Sequence, residues 1–331
     1  MSHWTGQRVT DMKYVTLNHT NDKISVVALG TDVYGTALET DKAIELLDEY
    51  TFLGGNVIDT ASVYGGENDN VSEKTIGKWM REKKNRQKLF ISTKGAHPKV
   101  ATMNISRLSK AEIEHDINLS LRNLSTDYID IYWLHRDDES LCVDEIMDTL
   151  AGLVKSGKTR FIGMSNWTHK RIDEANKYAK EHNLSPVISS QIQYSIAKAV
   201  VENNDPTLVL MDDAEYKYFK NNDLSVFAYA SQAKGFFSKL DNGGLESLSE
   251  KAKSRYFCDT NMEIFNRVKT VSKEYGRSVG EVAISALISN TDFQTVPIIG
   301  CKNTEQLRES MSGASLVLPQ NICNFIMMRD V

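Results

Sequence analysis

Four residues of the sequence have side chains that together could move a proton onto or off an oxygen atom. They are Asp59, Tyr64, Lys94 and His135. A tyrosine has an ordinary pKa of about 10, and a neighbouring ammonium stabilises the phenolate and lowers that pKa. A carboxylate beside the lysine would keep it charged and in place, and a histidine could orient a carbonyl oxygen by donating a hydrogen bond. The set contains no electron carrier, so redox chemistry would require a cofactor.

Each of these residues has a simpler explanation when it is taken alone. Asp59 could cap a turn, Lys94 could be a solvated strand end, and His135 could be a hydrogen-bonded core histidine. Tyr64 stands in a glycine-containing loop, where a tyrosine usually has a packing role. The chemical interpretation therefore depends on a fold that brings the four side chains together.

Short apolar, β-branched runs alternate along the chain with longer amphipathic ones. Eight such βα units in 331 residues favour a closed (β/α)8 TIM barrel over an open doubly wound sheet. The first βα turn lacks the GxGxxG fingerprint of a dinucleotide-binding Rossmann sheet. The predicted strands are Val26–Thr31, Asn56–Ala61, Leu89–Lys94, Ile129–His135, Arg160–Ser165, Val187–Tyr194, Leu224–Tyr229 and Thr295–Gly300.

Amphipathic helices are predicted between these strands. Ser109 followed by Glu112 predicts a capping box at the start of one of them. The glycine-containing stretch Ser231–Thr260, between strands seven and eight, is interpreted as a long loop with two helices after it. The predicted helices are Asp41–Phe52, Ser109–Asn123, Val143–Lys155, Thr168–His182, Met262–Tyr275 and Val279–Ser289.

The chain is expected to form a single domain over residues 1–331, with an N-terminal β-hairpin within residues 12–28. Residues 1–11 are interpreted as a leader or a flexible extension. A net charge of −5 argues against a general nucleic-acid binder, and no apolar run approaches the roughly 20 residues of a membrane span. The four scattered cysteines contain no CxxC pair, so we expect free thiols, no metal site and a reducing cytoplasm.

The active site of a (β/α)8 barrel forms at the C-terminal ends of its strands. Polar or ionisable residues stand at the end of run after run in this sequence, so the fold would gather them on one face. These strand-end residues are Asp59, Lys94, His135, Ser165, Asn166, Gln191, Tyr229 and Gly300.

Six short motifs follow one another along the chain. They are Val57-Ile-Asp-Thr-Ala-Ser-Val-Tyr-Gly65, Ser92-Thr-Lys-Gly95, Trp133-Leu-His-Arg136, Lys155-Ser-Gly-Lys158, Gly163-Met-Ser-Asn-Trp167 and Val296-Pro-Ile-Ile-Gly300. In this order they resemble the motifs of the aldo-keto reductases, and the resemblance extends from about Met12 to Met311.

The resemblance implies a barrel that binds a nicotinamide cofactor in extended form without a Rossmann fold. Tyr64 would be the general acid for reduction, with Lys94 and Asp59 tuning its proton affinity. His135 would orient the carbonyl group. Members that reduce carbon–carbon double bonds tend to carry glutamate at this position, so the histidine indicates carbonyl–alcohol exchange.

The resemblance also implies a cofactor site. Ser165, Asn166 and Gln191 match positions that hold the nicotinamide carboxamide. Tyr229 matches the ring that stacks on the nicotinamide, and the segment Ala230–Gly235 would run along the pyrophosphate. The full set of expected cofactor contacts is Thr31, Asp59, Ser165, Asn166, Gln191, Tyr229, Ala230, Ser231, Gln232, Lys234, Gly235, Gly300, Lys302, Gln306 and Glu309.

The position of Lys302, near the expected adenosine phosphate, favours NADP(H). Barrels often bind phosphate with the loops after strands seven and eight and a helix N-terminus, and Asn303 predicts such a helix start. Gln306 and Ser310 stand where many relatives have arginine and asparagine, and Ala230-Ser-Gln232 stands where many have Ser-Pro-Leu. NAD(H) therefore remains the alternative cofactor.

The βα loops are rather polar, which suggests a sugar-like or other small polar carbonyl or alcohol as substrate and partner. A solvated ion-pair cluster is the alternative interpretation of Arg136, Asp137 and Asp138. Two other functions stay open: a Schiff-base aldolase that uses Lys94, and a cofactor-binding subunit of a membrane channel, as some family members are. The expected substrate contacts are Tyr34, Tyr64, His97, His135, Arg136 and Trp167, with Asp137, Asp138 and His169 as further residues that could face the pocket.

Overall fold

The computed structural model describes residues 12–66 and 69–329 and contains ten strands within them. The expectation of a leader or extension at residues 1–11 lies outside the described residues. The strands are β1 (Tyr14–Thr16), β2 (Lys23–Ser25), β3 (Ala28–Gly30), β4 (Val57–Asp59), β5 (Phe90–Gly95), β6 (Ile129–Leu134), β7 (Thr159–Ser165), β8 (Val187–Gln193), β9 (Ser225–Tyr229) and β10 (Thr295–Ile299).

Eight parallel strands close into a barrel in the order β10, β3, β4, β5, β6, β7, β8 and β9, and helices connect the successive strands. The predicted (β/α)8 fold is therefore confirmed. Six of the eight predicted strands contain their barrel strand, whereas β5 extends one residue further, to Gly95, and β7 begins one residue earlier, at Thr159. The helices are α1 (Thr40–Phe52), α2 (Val71–Lys83), α3 (Lys110–Asn123), α4 (Val143–Lys155), α5 (His169–Glu181), α6 (Asp213–Asn221), α7 (Phe236–Gly243), α8 (Glu250–Tyr256), α9 (Asp259–Tyr275), α10 (Val279–Ser289), α11 (Thr304–Ser315) and α12 (Gln320–Met327).

The N-terminal hairpin closes one end of the barrel. Strands β1 and β2 pair antiparallel, as predicted. Leu17 and Ile24 of this hairpin are fully buried and pack with side chains of the barrel interior, among them Trp133 and Phe227. Because this end is filled with apolar side chains, the interior can admit a polar ligand at the opposite end, where the strands finish.

Side-chain N-caps are present at six of the twelve described α-helix starts, and they correct one prediction. Ser109 is the N-cap of α3, where its hydroxyl accepts the Glu112 backbone N–H. The reciprocal capping-box bond is absent there because the Glu112 carboxylate accepts hydrogen bonds from Arg107 and from the Ser109 hydroxyl instead. A complete capping box is formed by Ser278 and Glu281 at the start of α10.

The connection between β9 and β10 is long, as predicted, but it is not an irregular loop. Within Ser231–Thr260, the part predicted as a loop, helices α7 and α8 occupy half of the residues, and α9 begins at Asp259. Phe236, Phe237 and Tyr256 are buried there, so the segment packs onto the barrel in spite of its glycines. Among the described residues, the structure contains no helix with the length and apolar character that crossing a bilayer requires.

Candidate active site

A buried ion pair joins the ends of two neighbouring strands. Asp59 is the last residue of β4, and Lys94 lies in the adjacent β5. The Lys94 ammonium donates to Asp59 Oδ2 at 2.6 Å and to the Thr60 carbonyl at 2.9 Å. Burial alone would lower the pKa of Lys94, but the Asp59 carboxylate and Tyr64 raise it above its ordinary value. The lysine is therefore held as an ammonium.

The second oxygen of Asp59 is also fully engaged. Asp59 Oδ1 accepts from the Ser92 hydroxyl at 2.7 Å and from the Gln191 side-chain amide at 3.0 Å. The Ser92 oxygen in turn accepts from the indole N–H of Trp133 at 2.6 Å. These contacts fix the carboxylate on three sides. They also direct the Gln191 amide group toward Asp59.

Tyr64 lies on the loop after β4, directly beside the ion pair. The Lys94 nitrogen is 4.9 Å from the centroid of the tyrosine ring. Burial raises the pKa of Tyr64, while Lys94 acts in the opposite direction and only partly compensates. The sequence argument had the sign of the lysine effect right, but it left out desolvation of the phenolate. The phenol is consequently protonated at neutral pH and can act as a proton donor.

A tight turn holds this loop in place. Gly65, directly after the tyrosine, has a φ of 79°, and a Cβ there would lie 2.7 Å from the Tyr34 carbonyl oxygen. Glycine adopts this left-handed conformation without the steric cost that a side chain brings. The tight turn therefore explains why a glycine follows Tyr64.

His135 follows β6 and faces Tyr64. Its ring centroid is 6.0 Å from that of Tyr64 and 4.6 Å from that of His97. Burial lowers the pKa of His135 well below its ordinary value, and the nearby His97, Arg136 and Lys94 lower it further. A neutral imidazole carries one N–H, which is the form that can donate to a carbonyl oxygen. The structure thus brings together the four side chains that open the sequence argument.

Asn166 ties three strand ends to one another. It follows β7 with a left-handed φ of 58°. Its amide nitrogen donates to the Ser165 hydroxyl at 3.1 Å and to the His135 carbonyl at 3.2 Å. Its amide oxygen accepts from the Tyr229 hydroxyl at 2.7 Å. Three expected cofactor residues, Ser165, Asn166 and Tyr229, are therefore mutual neighbours beside His135.

The loop after β9 combines an exposed lysine, Lys234, with an unusual run of left-handed residues. Ala230, Ala233, Lys234 and Gly235 all have left-handed backbone conformations just before the N-terminus of α7. Burial lowers the pKa of Lys234, and repulsion from Lys251 and Arg255 lowers it further. Backbone turns of this kind next to a helix start form concavities that bind anions.

The start of α11 is built as predicted. Asn303 caps it by accepting the Gln306 backbone N–H at 2.9 Å, and the Gln306 side chain accepts the Lys302 backbone N–H at 2.9 Å. Glu309 accepts from the Ser278 hydroxyl at 2.5 Å. The side chains of Gln306 and Glu309 thus already have partners in the fold, whereas Lys302 is exposed.

Other expected cofactor residues contribute through the fold around the site. The Thr31 hydroxyl is fully buried and donates to the Asp59 carbonyl at 2.9 Å. The Ser231 hydroxyl donates to the Ile298 carbonyl at 2.7 Å, and the Gln232 amide donates to Ser310 at 3.0 Å. Gly300 directly follows β10, and a Cβ there would meet no atom within 4 Å. Its position borders open space at the strand end.

Two of the expected substrate contacts are corrected. Tyr34 and Trp167 have no exposed surface, so a substrate could not reach them in this conformation. The Trp167 indole donates to the Arg136 carbonyl at 3.2 Å, which places the ring behind the loop. His97 and Arg136 remain partly exposed at the site.

The alternative ion-pair cluster is also wrong. Asp137 pairs with Arg171 at 3.1 Å, and Asp138 accepts from the Ser140 hydroxyl at 2.6 Å. Arg136 instead donates to the His135 carbonyl and to Thr207. His169 pairs with Glu215 at 2.8 Å. The loop charges are therefore distributed among separate structural contacts.

Sequence reasoning did not identify Ser92 and Trp133 as supports of the site. Ser92 is two residues before Lys94 in β5, and strand periodicity places both on the same face. That spacing could have identified Ser92 from the sequence. No sequence pattern identifies the contact of the Trp133 indole in β6 with Ser92, because it depends on the pairing register of β5 and β6.

Comparison with known proteins adds a family assignment. The model of the aldo/keto reductase family matches residues 26–326. The chain is 27% identical over 329 residues to the uncharacterized oxidoreductase YrpG of Bacillus subtilis, covering 97% of this chain and 96% of that protein. It is 29% identical over 296 residues to the probable aryl-alcohol dehydrogenase AAD4 of Saccharomyces cerevisiae, covering 86% and 87%. It is 25% identical over 309 residues to the norsolorinic acid reductase stcV of Emericella nidulans, covering 89% and 76%.

Proposed function

Because the chain belongs to the aldo/keto reductase family, we propose that it interconverts an aldehyde or ketone with the corresponding alcohol, with Tyr64 as the proton donor in reduction. Members of this family are in general NAD(P)H-dependent carbonyl reductases. The observation that carries the proposal is the contact of Tyr64 with a buried, charged Lys94–Asp59 pair on one side and His135 on the other. Such a set supplies both a proton and a stabilised conjugate base at one oxygen.

The residues present fit a nicotinamide dinucleotide. Ser165 and Asn166 place a hydroxyl and an amide beside His135. The left-handed turn that ends at Gly235 leads directly into the N-terminus of α7, where a pyrophosphate would bind. Burial and the neighbouring Lys251 and Arg255 lower the pKa of Lys234, with Asp32 acting weakly in the opposite direction. An anionic ligand would relieve this repulsion. The bound cofactor would supply the hydride. Lys302 favours NADP(H) over NAD(H), because it adds a cation near the expected 2′-phosphate.

The proton chemistry follows from the charges of the site. The raised pKa of Tyr64 keeps the phenol protonated until negative charge develops on the carbonyl oxygen. As the proton leaves, the Lys94 ammonium stabilises the phenolate, and Asp59 keeps that ammonium charged. The neutral His135 donates its N–H to the same oxygen. A positioned acid of this kind typically contributes about 10²- to 10⁴-fold to the rate.

The same electrostatics argue against the aldolase alternative. Schiff-base formation requires a neutral amine, and enzymes obtain it by lowering the lysine pKa. Lys94 has a raised pKa and lies 2.6 Å from a carboxylate oxygen. It is built to remain protonated.

We favour an aromatic aldehyde or ketone as the substrate over a sugar-like one. Ile105 and Leu141, on the loops after β5 and β6, are exposed apolar side chains of the face that carries His135. One of the relatives carries the name of a probable aryl-alcohol dehydrogenase. The polar side chains His97 and Arg136 keep a small hydroxylated carbonyl as the second candidate.

The test is to follow NADPH and NADH oxidation with benzaldehydes, aryl ketones and aldoses, with Tyr64→Phe as the matched variant. We expect turnover by the wild type and a fall in kcat of about 10²- to 10⁴-fold in the variant, with cofactor affinity unchanged. Equal turnover by both proteins would refute the role of Tyr64. Tight cofactor binding without turnover of any carbonyl or alcohol, together with recovery of a membrane partner, would favour the channel-subunit alternative.

A further inference from the structure

The stretch Gly95–His97 supports His135 through two contacts. The Gly95 carbonyl accepts the His135 backbone N–H at 3.0 Å. The His97 ring meets the His135 ring edge to face, with 4.6 Å between centroids and 70° between planes. The conformation of this stretch therefore decides where the His135 imidazole lies.

This stretch has a costly backbone conformation. Ala96 has a left-handed φ of 58°, which a residue with a side chain disfavours by roughly 1–2 kcal/mol. Such a conformation persists where surrounding contacts enforce it. Gly95 is closely packed as well, because a side chain there would collide with the Tyr132 hydroxyl and with Asp116.

A nearly buried ion pair from outside the site enforces it. Asp116 of α3 accepts the Ala96 backbone N–H at 2.8 Å, and Arg107 donates to the His97 carbonyl at 3.0 Å. The two side chains are joined by a bidentate pair at 2.9 and 2.8 Å, which fixes their geometry. Asp116 is 4% exposed, so water competes little for its bond to the Ala96 N–H, whereas the Arg107 side chain is 15% exposed.

We propose that Arg107 and Asp116 clamp the stretch Gly95–His97, and that His97 is a positioning residue that holds the His135 imidazole toward Tyr64. The clamp acts on the proposed carbonyl chemistry through His135, so its catalytic consequence rests on the proposed function. Its structural consequence does not, because the orientation and protonation of His135 can be measured directly.

The pKa of His135 can be measured as well as its orientation, and the groups that face the imidazole determine it. His97 faces it from the loop after β5, Lys94 from β5, Arg136 from its own loop and Tyr64 from the loop after β4. Burial is the largest cause of the lowered pKa of His135. Removing the His97 ring opens the imidazole to water and removes a neighbour that disfavours a second proton. The pKa of His135 then moves up, toward its ordinary value of about 6.5.

The matched variants are His97→Ala, which removes the ring, and His97→Phe, which keeps an edge-to-face contact. We expect His97→Ala to raise the pKa of His135 above that in the wild type in an NMR titration, with the resonance assigned through His135→Gln. We expect kcat to fall about 10- to 100-fold with cofactor affinity unchanged, and His97→Phe to recover most of that loss. If His97 instead contacts the substrate directly, both variants will raise KM alike and leave the His135 titration as in the wild type, and the proposal is then wrong.

The clamp has a matched control at the opposite end of β5. Asp130 is 2% exposed, accepts the Ile91 backbone N–H at 2.7 Å and pairs with Arg86 and Arg160, each at 2.8 Å. It makes the same kinds of bonds as Asp116, but at the end of β5 away from the site. Both Asp116→Asn and Asp130→Asn should lower the unfolding midpoint, and the His135 titration should change in Asp116→Asn alone.

The outcomes separate this inference from the proposed function. If Asp116→Asn does not fold, the two His97 variants decide the matter, since His97 is partly exposed and outside the core. If the wild type turns over no carbonyl, the proposed function fails while the NMR titration still tests the clamp. An unchanged His135 titration in both His97→Ala and Asp116→Asn would overturn the inference.

Discussion

Replacing Asp59 with asparagine would leave a lysine ammonium in the barrel interior without its counter-charge. Lys94 is 1% exposed and its nitrogen lies 2.6 Å from the Asp59 carboxylate. Asparagine has nearly the same shape and can still accept a hydrogen bond. The variant therefore removes the charge of the pair with little change in packing.

Two energies set the upper limit of the stability that Asp59→Asn can lose. At 2.6 Å and an effective dielectric constant of about 20, the attraction between the two charges is about 6 kcal/mol. The variant can avoid losing all of it if Lys94 gives up its proton. For a lysine with an ordinary pKa of about 10.4, this costs about 5 kcal/mol at pH 7. We therefore expect the free energy of unfolding to fall by about 3–5 kcal/mol.

The pH dependence should change in a definite direction. In the wild type, the pKa of Lys94 is raised in the folded state, so its stabilising contribution is complete below the unfolded pKa and is lost as the pH rises through the folded pKa. In the variant, burial lowers the folded pKa, and the unfolded chain binds one proton more than the folded one. Stability should then rise with pH between 7 and 10, by up to about 1.4 kcal/mol per unit.

Guanidinium unfolding at pH 7, 8, 9 and 10 tests this, with Asp130→Asn as the control. Asp130 pairs with two arginines, which do not deprotonate in this range, so its variant should lose stability without gaining the same slope. A loss below about 1 kcal/mol in Asp59→Asn at pH 7, or a slope equal to that of Asp130→Asn, would refute the account of Lys94 as a buried ammonium.

Three further changes test other parts of the site. Ser92→Ala removes the hydroxyl between Trp133 and Asp59 and should cost about 1–3 kcal/mol by chemical denaturation; wild-type stability would show that these bonds have little effect. Gly65→Ala puts a Cβ 2.7 Å from the Tyr34 carbonyl at a φ of 79°, so it should lower kcat and the melting temperature together, while Gly157→Ala, at a φ of 75° with open space around it, should leave kcat unchanged. Lys302→Ala should weaken NADPH binding about 5- to 10-fold in calorimetry and leave NADH binding unchanged, and an equal effect on both cofactors would contradict a role at the 2′-phosphate.

The elements of the barrel were predictable because their signals are local. Burial on both faces makes β6 apolar from Ile131 to Leu134 and β10 apolar from Val296 to Ile299. The apolar spacing of α4 from Val143 to Leu153 marks its inner face. The stretch after β9 was misinterpreted because its glycines outweighed Phe236 and Phe237 in the sequence argument. Those aromatic rings pack onto the barrel and stabilise helices that glycine content alone disfavours.

The candidate site was predictable where strand ends carry it. Asp59, Lys94 and His135 follow from the rule that strand ends share one face of the barrel. Tyr34 and Trp167 were misassigned because loop membership does not show which side of the loop a ring faces. Trp167 turns inward, where its N–H reaches the Arg136 carbonyl and its ring contacts Arg171.

The protonation states of the site also determine the direction in which pH acts on the reaction. Burial raises the pKa of Tyr64 and lowers that of His135. Burial alone would also lower the pKa of Lys94, but the Asp59 carboxylate more than offsets this. At neutral pH the site therefore holds a phenol, a neutral imidazole and an ammonium. That is the arrangement for donating a proton in reduction. Alcohol oxidation needs the phenolate, whose pKa lies above its ordinary value of about 10. The kcat for oxidation should therefore rise about tenfold per pH unit from 7 to 9, while that for reduction stays nearly constant. An oxidation rate that is flat over this range, with the chemical step shown to be rate-limiting by a deuterium isotope effect, would contradict a buried, protonated Tyr64.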